Sequence, residues 1–175
     1  DRTVPSRTNF KSCQALNCTG VSSNVNTDRS GTGFVIESTG TVVDSSCLAL
    51  GGDVGVRVVQ ATGVLLDLTI EGTTNEGVRI SQNGAVSPEV VFGGSFKAEG
   101  TGSHGVSTRG ANIISFSDGA QIRNNQGYAV YPSNSGGSNY NQGEGVFSVG
   151  NILISGNLGI RTNDMKVVKI DSPLL

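Results

Sequence analysis

Charge is the scarcest ordinary ingredient of this 175-residue chain: Asp, Glu, Lys and Arg together make up 15 % of it, against a usual quarter. With a formal net charge of −2 and no basic run, it lacks the electrostatic footprint of a nucleic-acid binder, and no nucleic-acid partner is expected. No apolar run approaches the roughly 18 residues of a membrane span, and Asp1-Arg2-Thr3-Val4-Pro5 has no basic-then-apolar leader pattern. The chain opens without Met, which reads as a fragment or a processed product. Cysteine is sparse too. Cys13, Cys18 and Cys47 form no CxxC pair, and the one histidine, His104, cannot complete a familiar zinc set, so neither a metal site nor a cofactor is expected. Cys13 and Cys18 could pair across a tight loop, but an odd count leaves one thiol over, and buried free cysteines acting as small hydrophobes are the favoured reading.

What the chain has instead is glycine, 26 residues, about twice the usual share. Val and Ile together number 31 against 10 Leu, a bias toward strands and turns rather than helices. The length suits one domain with a sizeable core.

The glycines recur in register. Gly55-Val56-Arg57-Val58 returns 22 residues later as Gly77-Val78-Arg79-Ile80, and the same interval backwards lands on Gly33-Phe34-Val35-Ile36. With looser spacing the pattern continues at Gly105-Val106-Ser107-Thr108, Tyr128-Ala129-Val130-Tyr131 and Gly159-Ile160-Arg161-Thr162. Within a unit the apolar residues alternate, Val56 and Val58 and then Leu66, Leu68 and Ile70, which is a strand period. Turn-forming stretches separate the runs. Each unit cannot bury its inward face alone, so the units must stack as coils of a solenoid at roughly the 4.8 Å spacing of a sheet. The expected fold is all-β, a solenoid of about six coils. Residues 1–30 read as an N-terminal cap or irregular first coil, and 31–175 as the solenoid with a capping tail. Its core should hold Val56, Val58, Leu66, Leu68, Ile70, Val78, Ile80, Val106, Ile122, Val130, Ile154 and Ile160. The Gly/Ser/Asn-rich stretch 132–145 reads as a surface loop, because repeats continue on both sides of it.

Ile122-Arg123-Asn124-Asn125-Gln126-Gly127-Tyr128-Ala129-Val130 and Ile154-Ser155-Gly156-Asn157-Leu158-Gly159-Ile160 resemble the degenerate repeat of right-handed parallel β-helices of the pectate-lyase-like superfamily. Their coils read "isoleucine, x, x, Asn, then Gly-Ile/Val", with Asn at a sharp turn. The resemblance covers about residues 31–170, and the uncharged Gly/Ser/Asn-rich surface looks most like a bacteriophage tailspike. It implies a right-handed β-helix, a side-by-side homotrimer, a virion or extracellular location, and binding or depolymerisation of a bacterial surface polysaccharide. A structural shaft or adhesin without a sugar site, and a secreted bacterial polysaccharide lyase, hydrolase or epimerase, are the rival readings.

Stacking the repeats places Val35, Arg57, Arg79, Ser107, Tyr131 and Arg161 in one outward column. Arg57 and Arg79 become neighbouring like charges that require an anionic partner, from Asp67, Glu71, Glu76 or an acidic glycan; a solvated face with local ion pairs is the plainer expectation. Glycosidase chemistry needs two carboxyl groups about 5–10 Å apart. Asp67 and Glu71, read as one strand face about 13 Å apart, are too distant from each other. Glu99, Asp118 and Glu144 are the other weak catalytic candidates, with solubility and turn chemistry the plainer role for each. His104 reads as an exposed turn residue or a proton carrier. Tyr128, Tyr131 and Tyr140 cluster around the long insertion and, with Asn83 on the preceding loop, are the candidate sugar contacts, set against a role in anchoring the loop or a subunit.

Overall fold

The structure, a computed structural model, describes residues 8–18, 31–82, 86–110, 112–133, 146–149, 153–161 and 167–170. The sites expected at Asn83, Tyr140 and Glu144, and most of the insertion, lie outside them. The described residues contain strands and turns but no helix.

In chain order the strands are β1 (Asn9–Phe10), β2 (Gln14–Leu16), β3 (Thr32–Ile36), β4 (Val42–Val43), β5 (Leu48–Leu50) and β6 (Val54–Val59). The next six are β7 (Val64–Leu66), β8 (Thr69–Glu71), β9 (Val78–Ser81), β10 (Glu89–Phe92), β11 (Lys97–Glu99) and β12 (Val106–Arg109). Then come β13 (Ile113–Phe116), β14 (Gln121–Arg123), β15 (Val130–Ser133), β16 (Val146–Val149), β17 (Leu153–Ser155) and β18 (Val167–Ile170). They form three sheets, each taking every third strand: β1-β4-β7-β10-β13-β16-β18, β2-β5-β8-β11-β14-β17 and β3-β6-β9-β12-β15. Every pairing is parallel. The molecule is therefore a parallel β-solenoid of three-strand coils.

The Gly-led repeats are the strands of the third sheet, in the register expected. Phe34 pairs with Val56, Val56 with Val78, Val78 with Val106 and Val106 with Val130. The five strands of that sheet enclose four full turns, fewer than the six coils counted in sequence. The repeat at Gly159 contributes an isolated bridge from Val130 to Ile160 rather than a strand, so the sheet has five strands for six repeats. One other expectation changes. Leu66, Leu68 and Ile70 do not share one strand, because the chain turns a corner between β7 and β8; all three nevertheless point into the core. Residues 9–16 supply β1 and β2, which pair with β4 and β5.

The core is continuous from coil to coil. Val56, Val58, Val78, Ile80, Val106, Ile122 and Val130 are wholly buried in it, with Ile154 and Ile160 packed against it. Phe92 and Phe116 stack at 4.4 Å between centroids, one above the other, and Phe96 closes against both.

Two features of the repeat have distinct causes. The corner after the second sheet places Asn17, Gly51, Gly72, Gly100, Asn124 and Gly156 in the left-handed region on successive coils, and only Gly and Asn enter it readily. Each of the first five donates its N–H to a carbonyl of the following coil. Gly33, Gly55, Gly77 and Gly105, which open their repeats, answer to space instead. A Cβ on Gly55 would lie 2.5 Å from Ile70 Cγ2 and 2.7 Å from the Gly77 carbonyl.

Candidate functional site

Coil register builds the site. The residue before each repeat glycine stacks with its counterparts, because the Gly77 N–H donates to the His104 carbonyl and the Gly105 N–H to that of Tyr128. This gives a corner column of Glu76, His104 and Tyr128. Two positions beyond the glycine runs the strand column Val35, Arg57, Arg79, Ser107 and Tyr131. Between the two columns opens a cleft of about 260 Å³, lined by Glu76, Ser103, His104, Ser107, Thr108, Arg109 and Tyr131.

The strand column is not a solvated face. Arg57 is 2 % exposed and Arg79 7 %, and every residue of β6 and β9 is buried. Such doubly covered parallel strands are ordinarily apolar throughout, and a guanidinium there needs a partner. For Arg79 the partner is Glu76, one of the three acids considered from sequence, in a buried ion pair. The other two point elsewhere. Asp67 lies in the corner between β7 and β8 and accepts the Ser95 N–H at 2.7 Å, whereas Glu71 pairs with Lys97 at 2.9 Å.

His104 is held in one state. Its Nδ1 accepts the Tyr128 N–H at 2.9 Å, which leaves the proton on Nε2. Burial lowers its pKa below the ordinary 6.5, with Arg161 acting in the same direction and Glu76 opposing, so the ring is neutral at pH 7. It is not an exposed turn residue: it stacks on Tyr131 at 4.2 Å, and Tyr128 lies 5.8 Å away. From the next coil, Arg161 donates to the Tyr131 hydroxyl at 2.6 Å and holds its guanidinium carbon 4.8 Å from the same ring. The flat surface of Tyr131 is thus already used by its own chain. Ser107, 4 % exposed, lines the cleft, and its hydroxyl has no partner among the described residues. The Nε of Arg79, in register with it, has none either.

The remaining acids form a separate group. On the second sheet Glu71 and Glu99 are register neighbours, and Lys97 bonds both, at 2.9 and 2.7 Å. Arg123 adds a contact to Glu99 at 2.9 Å and Asn124 another at 3.0 Å. Lys97 first, then Asn124 and Arg123, lower the Glu99 pKa from 4.5 to about 2. A carboxyl so strongly ionised cannot serve as the protonated acid that glycosidases require. Asp118 is exposed in the turn between β13 and β14.

The structure therefore brings together Arg79, Tyr128 and Tyr131, sets Arg57 two strands from Ser107, and leaves Asp67, Glu71, Glu99 and Asp118 outside the cleft. Glu76, Ser107 and Arg109 were missed as a group. Their signal was present: aligning the residue before each repeat glycine with the residue two beyond it puts Glu76 and His104 beside Arg79 and Ser107.

These features define a class, a parallel β-solenoid with a polar cleft set between two side-chain columns on its wall. No family model, curated protein or solved structure matches the chain.

Proposed function

We propose that this chain is a tailspike-like module that binds an acidic bacterial surface polysaccharide in the cleft between the Glu76–His104–Tyr128 and Arg79–Ser107–Tyr131 columns. It acts as a side-by-side homotrimer on a virion or outside the cell. The observation that carries the reading is Ser107, which lines the cleft and whose buried hydroxyl has no partner among the described residues. Leaving such a group unsatisfied costs about 1–3 kcal/mol, which a ligand oxygen can offset. Arg109 lines the cleft, and Arg79 and Arg161 bond its lining residues Glu76 and Tyr131, a basic surround that suits an acidic sugar. At about 260 Å³ the cleft is a little below the roughly 300–1,000 Å³ of small-molecule pockets, room for one unit of a longer chain. With the Tyr131 ring already covered, recognition runs through hydrogen bonds and charge rather than sugar stacking on that face. Glu76 is the sole carboxylate among the described lining residues and is bound to Arg79, so the reading is binding rather than two-carboxylate hydrolysis.

Ser107→Ala tests this directly. The hydroxyl has no partner among the described residues, so the melting temperature should stay unchanged or rise slightly, while affinity for acidic capsule or O-antigen preparations should fall about 10-fold. Binding of the parent should weaken with added salt. Unaltered binding by the variant, equal affinity for neutral polysaccharides, or shortened glycan chains would each reject the reading.

A further inference from the structure

Cys13 and Cys47 occupy the same corner of successive coils. The corner before each second-sheet strand carries one inward residue, and the backbone identifies the column. The Cys13 carbonyl accepts from Leu48, that of Cys47 from Thr69, that of Leu68 from Lys97, that of Phe96 from Gln121 and that of Ala120 from Leu153. The column therefore reads Cys13, Cys47, Leu68, Phe96, Ala120, and its last four members are buried core residues. Cys13 is partly exposed and packs against that core. The register Gln14 to Leu48 confirms that the two cysteines are direct neighbours across the ladder. In-register neighbours stand about 4.8 Å apart at Cα, inside the roughly 4.4–6.8 Å window of a disulfide.

We propose that Cys13 and Cys47 are a disulfide site that cross-links two successive coils of the solenoid when the chain meets a small-molecule or protein disulfide as oxidant. The Cys13 thiolate, the more accessible, attacks the oxidant disulfide and releases one oxidant thiol. The Cys47 thiolate then attacks the Cys13 sulfur of the mixed disulfide and releases the second. Two protein thiols lose two electrons and two protons, and the oxidant disulfide gains them. Burial pushes the pKa of the Cys47 thiol up, which makes the second attack the slower one. Cys18 is not a partner for either. It sits beyond the far end of β2 from Cys13, past the left-handed corner at Asn17, and it faces Gly52 on the next coil. The bond would close a loop of 34 positions, long enough for a substantial loss of unfolded-chain entropy.

The test is to treat the purified reduced chain with excess oxidised glutathione, block free thiols by alkylation and map the peptides. The expected product is a linked peptide pair containing Cys13 and Cys47, with Cys18 alkylated. The melting temperature should rise on the order of 5–10 °C over the reduced form, and the rise should vanish with reductant. Cys18→Ser should keep the gain. Cys13→Ser should abolish it, and because Cys13 is only partly buried that variant serves even if Cys47→Ser fails to fold. Three alkylatable thiols after oxidation, a link through Cys18, or a cross-linked form that melts no higher than the reduced one would overturn the proposal.

Discussion

Two glycines of the same repeat are there for different reasons, and substitution separates them. Gly72 has φ of +65° and open space where a Cβ would go, so Gly72→Ala should cost only the left-handed strain, about 1–2 kcal/mol. Gly55 has an ordinary φ but is pressed between Ile70 and the backbone of the next coil, so Gly55→Ala must push two coils apart and should cost about 3 kcal/mol or more. Urea melts of both variants check this, and equal costs would contradict it. Asn124 and Asn125 divide a role that the sequence assigned to a single turn asparagine. Asn124 takes the left-handed φ of 54°. Asn125, buried, forms the ladder: it accepts the Thr101 N–H at 2.9 Å, and its amide donates to Asn157 at 2.8 Å. The one-coil offset of these bonds is invisible in a linear pattern, because only stacking shows which of two adjacent asparagines meets the coil above.

At the scale of a strand, charge is organised across coils rather than along them. Lys97 on β11 sits between Glu71 on β8 and its own neighbour Glu99, while Arg123 on β14 reaches back to Glu99. The folded pKa of Glu99 is depressed, so its contribution to stability is present above the unfolded value near 4.5 and is lost as pH falls toward about 2. The melting temperature should therefore fall between those pH values more steeply in the parent than in Glu99→Gln. Parallel pH profiles would show that the carboxylate contributes nothing to the fold. None of this was legible from β11 alone, where Lys-Ala-Glu reads as an ordinary solvated strand. The apolar alternation was legible, since its period follows from strand geometry and needs no neighbour.

At the scale of the whole molecule, the proposed assembly rests on the outer wall. Leu16 and Leu50 are in register on the outer face of the second sheet and are 52 % and 40 % exposed, an apolar pair that a lateral neighbour could cover. Under the proposed trimer, light scattering at micromolar concentration should give three times the chain mass of 17.9 kDa, and Leu50→Lys should lower it. A stable monomer would remove the trimer and leave the solenoid intact.

The sequence by itself determined the all-β solenoid, the register of its third sheet and the core residues, because repeat spacing and period-two alternation are local and every coil obeys them. Only the tertiary structure decided that Arg57 and Arg79 are buried, that His104 is neutral against Tyr131, and that Cys13 faces Cys47. Those properties depend on which side chains meet across coils 22 to 34 residues apart and on how much water the stack excludes from them. A residue's own neighbours in the chain carry no record of either.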